Sequence, residues 1–546
     1  MTSEAGRRDF MKWAGTLAAA GLPGAALAES ALTGTESAAK LRTPLPPGPS
    51  YSIAAFGAVG DGTTLATRAI QKAVDTCAAA GGGQIVIPPG SFLTGPIFLK
   101  SNLEINVQAG ARLLFTTDFE TVDVIDGIWE GLEAKVYASM LTGFNLENVS
   151  IGGHGVLDGQ GKAWWDAFGV VRKLRLDAGI DGQRGVPNPP GSPLKYGRPR
   201  LINLYGCKDV FIGGIKLVNS PAWNIHPVRC ENLVIDGVTI LAPADSPNTD
   251  GIDPDSCRNV RISNCYIGVG DDCVIVKSGY AFNPQGVPCE NIAVTNCVFG
   301  TGHCGVGIGS ETAGGVTNVV ATNCICDGTA AGLRIKTARG RGRAVENFRA
   351  SNWVMRNVAE PVVTTMFYGS GSNPRGAGRH DAQPVSERTP VIRNIHLSDL
   401  VAVGCRRAGV IEGLPESPIE GFTLSNYFAD AAGEGIGCTN VNHAVFDNVV
   451  VNAAAGPALS ADTVRELELY RVTSRKPVKN EPVLRLEAVQ SGVVQSCAAA
   501  EGTGTFLEIK GPANRDLHLF ANRTARAAKE VEFTGGAAEG CVVKGG

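Results

Sequence analysis

The chain has 546 residues and a formal net charge of −3, long enough for three or four average domains unless a repeat spans it. Glycine supplies 70 residues and charged residues only 18%, against usual shares of about 7% and about 25%, which points to many tight turns around a large core. A hydrophobic content of 44% excludes disorder, and 49 Lys plus Arg against 52 Asp plus Glu lacks the basic excess of a nucleic-acid binder.

At the N-terminus, Arg7-Arg8-Asp9-Phe10-Met11-Lys12 precedes an apolar stretch, 13–26, and the small-residue signal Ala26-Leu27-Ala28. The order resembles a twin-arginine export signal. Residues 1–28 are therefore expected to be a signal peptide and 29–50, proline-rich at its end, a linker. That address implies a periplasmic or extracellular protein. No later stretch approaches 18 uninterrupted apolar residues, so no membrane anchor is expected. Next, 65–80 carries Ile70, Ala73, Val74 and Cys77 at helical spacing and ends at Gly81-Gly82-Gly83. This predicts a short amphipathic helix capping the end of a solenoid, whose last coil would otherwise be an open edge.

The solenoid itself is read from repeats. Cys207, Cys230, Cys257 and Cys289 each open a phrase of the type Cys-charged-Asn/Asp-apolar, at intervals of 23, 27 and 32 residues. Asn264-Cys265, Asn296-Cys297 and Asn323-Cys324 form a second set, at 32 and 27. Periods of this size mark repeat architectures. Each unit is a short β-rich run between turn residues, with no helical pattern inside it, which leaves an all-β chain folded as a right-handed parallel β-helix. Equivalent residues of successive coils then stack about 4.8 Å apart, so the Cys and Asn rows are expected to be buried ladders. The catalytic body is placed at 51–458. Short strands at 483–489, 506–509 and 517–520 suggest that 459–546 continues the β-helix.

Four polar clusters lie in the repeats: Asn248-Thr249-Asp250, Gly270-Asp271-Asp272, Gly302-His303 and Arg334-Ile335-Lys336. Asp250 to Asp271 is 21 residues, and Asp272 to His303 and His303 to Arg334 are 31 each, one coil per step. Three carboxylates, an imidazole, a guanidinium and an ammonium would thus share one face. Exposed ion pairs contribute only about 0 to 1 kcal/mol and adjacent carboxylates repel, so a functional site explains the arrangement better than stability does. Asp271 and Asp272 can serve one cleft only if the strand ends or bulges there.

With these clusters, Phe56 to Gly62, Gly152 to Gly161, Trp164-Trp165, Tyr368 and Gly413-Leu414-Pro415-Glu416, the chain resembles glycoside hydrolase family 28, the polygalacturonase family. The resemblance implies a hydrolase of α-1,4-galacturonan or a related pectic chain. It makes Asp271 the general acid and Asp250 with Asp272 the groups that activate water, and His303 supports the acid. Arg334 and Lys336 would hold a sugar carboxylate, with Tyr368 and Asn248 as further substrate contacts. His226 is as readily structural as substrate-binding. Cys304 stands where the family usually has Gly, which opens the alternative of a Cys-His pair.

Glycoside hydrolysis needs one protonated carboxylic acid and one carboxylate across the anomeric carbon, and crowded aspartates can retain a proton. No metal or cofactor is required, and a monomer is expected. The competing readings are a polysaccharide lyase, which would typically need Ca²⁺, and a non-catalytic carbohydrate-binding β-helix. Acid and base on neighbouring coils start about 4.8 Å apart, a spacing that leaves retention and inversion both open; the resemblance implies inversion. Two insertions, 168–198 and 369–390, lack strand periodicity and are basic; folded over one end of the cleft, they would make the enzyme exo-acting.

Overall fold

The computed structural model describes residues 48–368 and 381–545. The expected signal peptide, the linker up to 47 and residues 369–380 of the second insertion lie outside the described residues. What is described is a right-handed parallel β-helix. Each coil hydrogen-bonds to the next in parallel register. Val210, Leu233, Val260, Ile292, Val319, Phe348, Ile395 and Phe422 pair in turn, and all are buried. Their inward row alternates with outward polar residues because successive strand side chains face opposite ways. Fully burying one such side chain contributes about 1.5 to 3 kcal/mol, and the row repeats once per coil.

The corners explain the asparagines. Asn232, Asn259, Asn291, Asn318 and Asn347 all have φ between 57° and 60°, a left-handed conformation that Asn tolerates better than most residues. Their side-chain amides donate to the preceding coil, Asn259 to Asn232, Asn291 to Asn259 and Asn318 to Asn291, all at 3.0 Å. The second Asn row, Asn264, Asn296 and Asn323, is exposed, not buried as expected. It turns corners, while the following Cys265, Cys297 and Cys324 point into the core. All fifteen cysteines are free thiols.

Helix α1, Thr67–Ala79, buries Ile70, Ala73, Val74 and Cys77 against the first coil, matching the expected cap. Beyond its C-cap Ala80 the chain leaves through Gly81 and Gly82, the latter at φ 119°, where a Cβ would lie 2.4 Å from the Asn102 carbonyl oxygen. The first insertion departs from expectation. Its opening residues belong to a second helix, α2, Gly161–Asp177, and only the rest is irregular. Arg175 turns back on that irregular part, donating to the Val186 and Ile180 carbonyls at 2.9 and 3.1 Å. An antiparallel hairpin, Val124–Trp129 with Leu132–Tyr137, stands outside the parallel coils. Beyond Ala455–Tyr470, the strands Pro482–Glu487, Gln490–Gln495, Thr503–Lys510 and Arg515–Phe520 keep the parallel pairing. No described helix is long and apolar enough to cross a membrane.

Candidate active site

The polar clusters converge where Val274–Val276, Val306–Ile308 and Ala331–Lys336 run side by side. Asp271 and Asp272 lie before the first of these strands, outside regular structure and separated from it by Cys273, so strand alternation does not separate them. Register corrects the spacing argument in two places. Ile252 pairs with Val274 and the Gly251 amide donates to the Asp272 carbonyl at 2.9 Å, which sets Asp250 beside Asp272 rather than Asp271. Gly307 pairs with Arg334, so Arg334 lies further along its strand than His303 does, although 31 residues separate them.

Asp271 faces the open side. Its Oδ1 accepts from the Asp272 amide at 2.9 Å and lies 2.8 Å from His303 Nδ1. That hydrogen bond raises the imidazole's pKa against the effect of burial. Asp272 is nearly buried and accepts from Lys336 Nζ at 2.6 Å. Burial alone would raise its pKa, but Lys336 and Arg334 hold it below the ordinary carboxylate value. Lys336, expected to grip substrate, is thus already engaged with Asp272, and its ammonium lies 5.0 Å from the Tyr368 ring centroid. Arg334 lies 5.5 Å from the same ring, with a buried Nε that has no hydrogen-bond partner. The Tyr368 amide donates to the Thr337 carbonyl at 3.0 Å. Glu416, in the last of the resembling phrases, accepts from Arg339 Nε at 2.6 Å and fastens the segment that follows Lys336.

Behind this face lies a group that the spacing did not reveal. Lys277 Nζ stands 3.6 Å from Asp250, 3.5 Å from Asp253 and 3.6 Å from Glu311. Burial, then the charges of Asp271 and Asp253, drive the Asp250 pKa well up. Burial raises Asp253 to about 7. Asp250 Oδ1 and both Asp253 carboxylate oxygens are buried without a hydrogen-bond donor; one proton shared between the two carboxylates would satisfy two of the three. The sequence holds only a faint signal for it, an aspartate three residues after Asp250 and a lysine closing the apolar run Val274-Ile275-Val276; the pairing of Lys277 with the Asp255 row shows only in the register.

Asn248 accepts from Arg198 Nη2 at 2.6 Å. Arg198, at the end of the basic first insertion, is buried, donates to the Pro221 and Pro247 carbonyls and stacks on Phe168 at 3.9 Å. His226 is fully buried, edge-on to Trp223 at 4.6 Å. Burial, with Arg200 and Lys277, lowers its pKa to about 4, so it is neutral and structural. Cys304 is fully buried with Ile275, Ala331 and Val363. Burial and then Asp272 push its thiol pKa well up, while half of the His303 side chain is in solvent; no Cys-His nucleophile forms. Asp271, Asp272 and His303 offer ligand atoms within 4.8 Å of one another. Each is already paired, and a cation there would meet the Lys336 ammonium.

The sequence profile of glycosyl hydrolases family 28 matches residues 77–446. The chain belongs to that family. A probable polygalacturonase from Vitis vinifera is 37% identical over 389 residues, covering 69% of this chain and 73% of that protein. An exopolygalacturonase from Zea mays is 30% identical, covering 59% and 71%. An endo-polygalacturonase from Pectobacterium carotovorum subsp. carotovorum is 33% identical, covering 57% and 75%. Among solved structures, a hyperthermoactive exopolygalacturonase from Thermotoga maritima superposes with a TM-score of 0.63 at 31% identity, covering 76% of this chain and 95% of that one. As a family 28 member, the chain is a glycoside hydrolase that cleaves galacturonan. The family match extends over every site cluster described above.

Proposed function

We propose that the chain is an exported, exo-acting polygalacturonase that hydrolyses galacturonan with inversion. The observation that carries the exo reading is a wall at one end of the site. Trp129, in the hairpin, stacks on Trp223 with centroids 5.7 Å apart and planes 7° off parallel, and Lys277 Nζ lies 4.7 Å from that Trp223 ring. At the hairpin tip, a Cβ on Gly131 would lie 2.6 Å from the Tyr280 amide nitrogen and 3.0 Å from Glu311. Arg184 of the first insertion pairs with Glu130 at 2.9 Å and Glu311 at 3.0 Å. In this reading a polymer entering the site ends against these contacts.

In this reading Asp271, open to the cleft, protonates the glycosidic oxygen, with His303 holding its Oδ1 and leaving Oδ2 toward the substrate. Asp250 and Asp272, deeper and on adjacent coils, activate the water that attacks from the opposite side. Arg334, backed by Tyr368, holds the sugar carboxylate. Lys336 keeps Asp272 ionised. Viscosity followed beside reducing ends on polygalacturonic acid tests the exo reading: slow viscosity loss per bond cleaved supports it, and a steep early drop refutes it. Fractionation of the producing cell tests export, with activity expected outside the cytoplasm.

A further inference from the structure

Glu311 is a buried carboxylate that the hydrolytic steps above do not use. Burying a charge costs several kcal/mol unless partners offset it, and Glu311 has two partners on different elements. Its Oε2 lies 3.6 Å from Lys277 Nζ and its Oε1 lies 3.0 Å from Arg184 Nη1. Arg184 also lies over the Tyr280 ring at 4.1 Å and pairs with Glu130. The other charged groups acting on Glu311 and Lys277 are Lys336, Arg341, Asp250, Asp253 and Asp272. Lys336 is occupied by Asp272 and Arg341 by the Tyr280 carbonyl and ring.

We propose that Glu311 and Arg184 are positioning residues for the water-activating carboxylate: Glu311 divides its charge between Arg184 and Lys277 and so sets how strongly Lys277 acts on Asp250 and Asp253. The buried, unpartnered oxygens of Asp250 and Asp253 place a retained proton on that pair, beside Lys277. Asp271, Asp272, Arg198 and Arg200 also act on the pair and are left unchanged in the variants below. Docking of the insertion through Arg184 is thereby coupled to the readiness of Asp250. The inference rests on the reading of Asp250 as a water-activating group.

Two substitutions separate this coupling from a merely structural role, because they act with opposite sign. Glu311→Gln frees Lys277 to act on the aspartate pair alone, so the pair loses its proton more easily and the acidic limb of kcat/KM moves to lower pH. Arg184→Gln leaves Glu311 to draw on Lys277, so the pair holds its proton more tightly and the acidic limb moves to higher pH. Each shift is expected to be roughly half a unit to one unit, and Arg184→Lys restores most of the wild-type position. The measurement is the pH profile of the full chain on polygalacturonic acid, with melting curves to show folded protein. If Glu311→Gln does not fold, Arg184→Gln and Arg184→Lys decide. Limbs that stay in place, or that move in the same direction, overturn the proposal. Asp250→Asn serves as control: wild-type turnover in it refutes the underlying reading of the site, whereas an inactive Asp250→Asn with unmoved limbs refutes only the coupling.

Discussion

Asp271 and Asp272 are neighbours in sequence with opposite surroundings, and the difference assigns their work. Asp271 meets solvent and His303; Asp272 is nearly buried against Lys336. Asp271→Asn is expected to lower kcat by about 10² to 10⁴ with little change in melting temperature, measured on polygalacturonic acid. Lys336→Ala is expected to lower kcat as well as raise KM, because it releases Asp272 in addition to any uronate contact; a change in KM alone would restore the simpler role expected from sequence. Asp253 has a stability consequence. Its pKa rises from 3.8 to about 7 on folding, so its contribution is fully present below about pH 4 and is lost as pH rises toward 7. Asp253→Asn is therefore expected to stabilise the protein at pH 7 by about 1 to 4 kcal/mol and to flatten the pH dependence of melting across that window. Glu311 acts in the opposite sense. Its pKa is depressed to about 2 from 4.5, so its contribution is present above 4.5 and lost as pH falls toward 2. Asp250, Asp271, Asp272, His303 and the pair Arg334 and Lys336 stand out in the sequence as one cluster because they recur in coil-sized steps. Lys277, Asp253 and Glu311 were not, since their meaning depends on three-dimensional register, and one of them closes an apolar run that reads as plain core.

Among the elements, α1 was legible because Ile70, Ala73, Val74 and Cys77 keep a helical period. α2 was not, because it buries only Gly161, Trp164 and Val171 and has no continuous apolar stripe to announce it. The hairpin Val124–Trp129 with Leu132–Tyr137 also passed unread. Its core contacts are Trp129 stacked on Trp223 and the buried end Val136-Tyr137, with Tyr137 edge-on to Trp164, rather than an alternating pattern along both strands. The cap carries a direct test. Val74 is fully buried, and Val74→Asp places an unpaired charge under the first coil, at an expected cost of about 3 kcal/mol or more. A melting temperature lowered by several degrees checks this, and an unchanged one would show that α1 does not seal the end of the solenoid. Trp129→Ala is expected to loosen the hairpin and release internal oligomers alongside end products; an unchanged product pattern would move the wall elsewhere.

Across the whole molecule, the repeated Cys and Asn phrases disclosed the coil, because each coil needs a left-handed corner and a small buried side chain in the same place. They did not disclose the phase of individual strands, because inserted residues between coils shift one strand against its neighbour by one to four positions, enough to set Asp250 beside Asp272 rather than Asp271. The strands after Tyr470 continue the parallel ladder as far as Val542–Lys544. We propose that they fold as one unit with the catalytic coils. Limited proteolysis is expected to release no stable fragment by cutting at 453–461.

The most direct test of the central claim follows a defined galacturonate oligomer by proton NMR from the first turnover, reading product identity and anomeric configuration together. The account predicts monogalacturonate or a short terminal unit as the first product, born as the β anomer from an α linkage, with no unsaturated sugar signals. Internal fragments at low conversion, an α anomer formed first, or unsaturated products would contradict it.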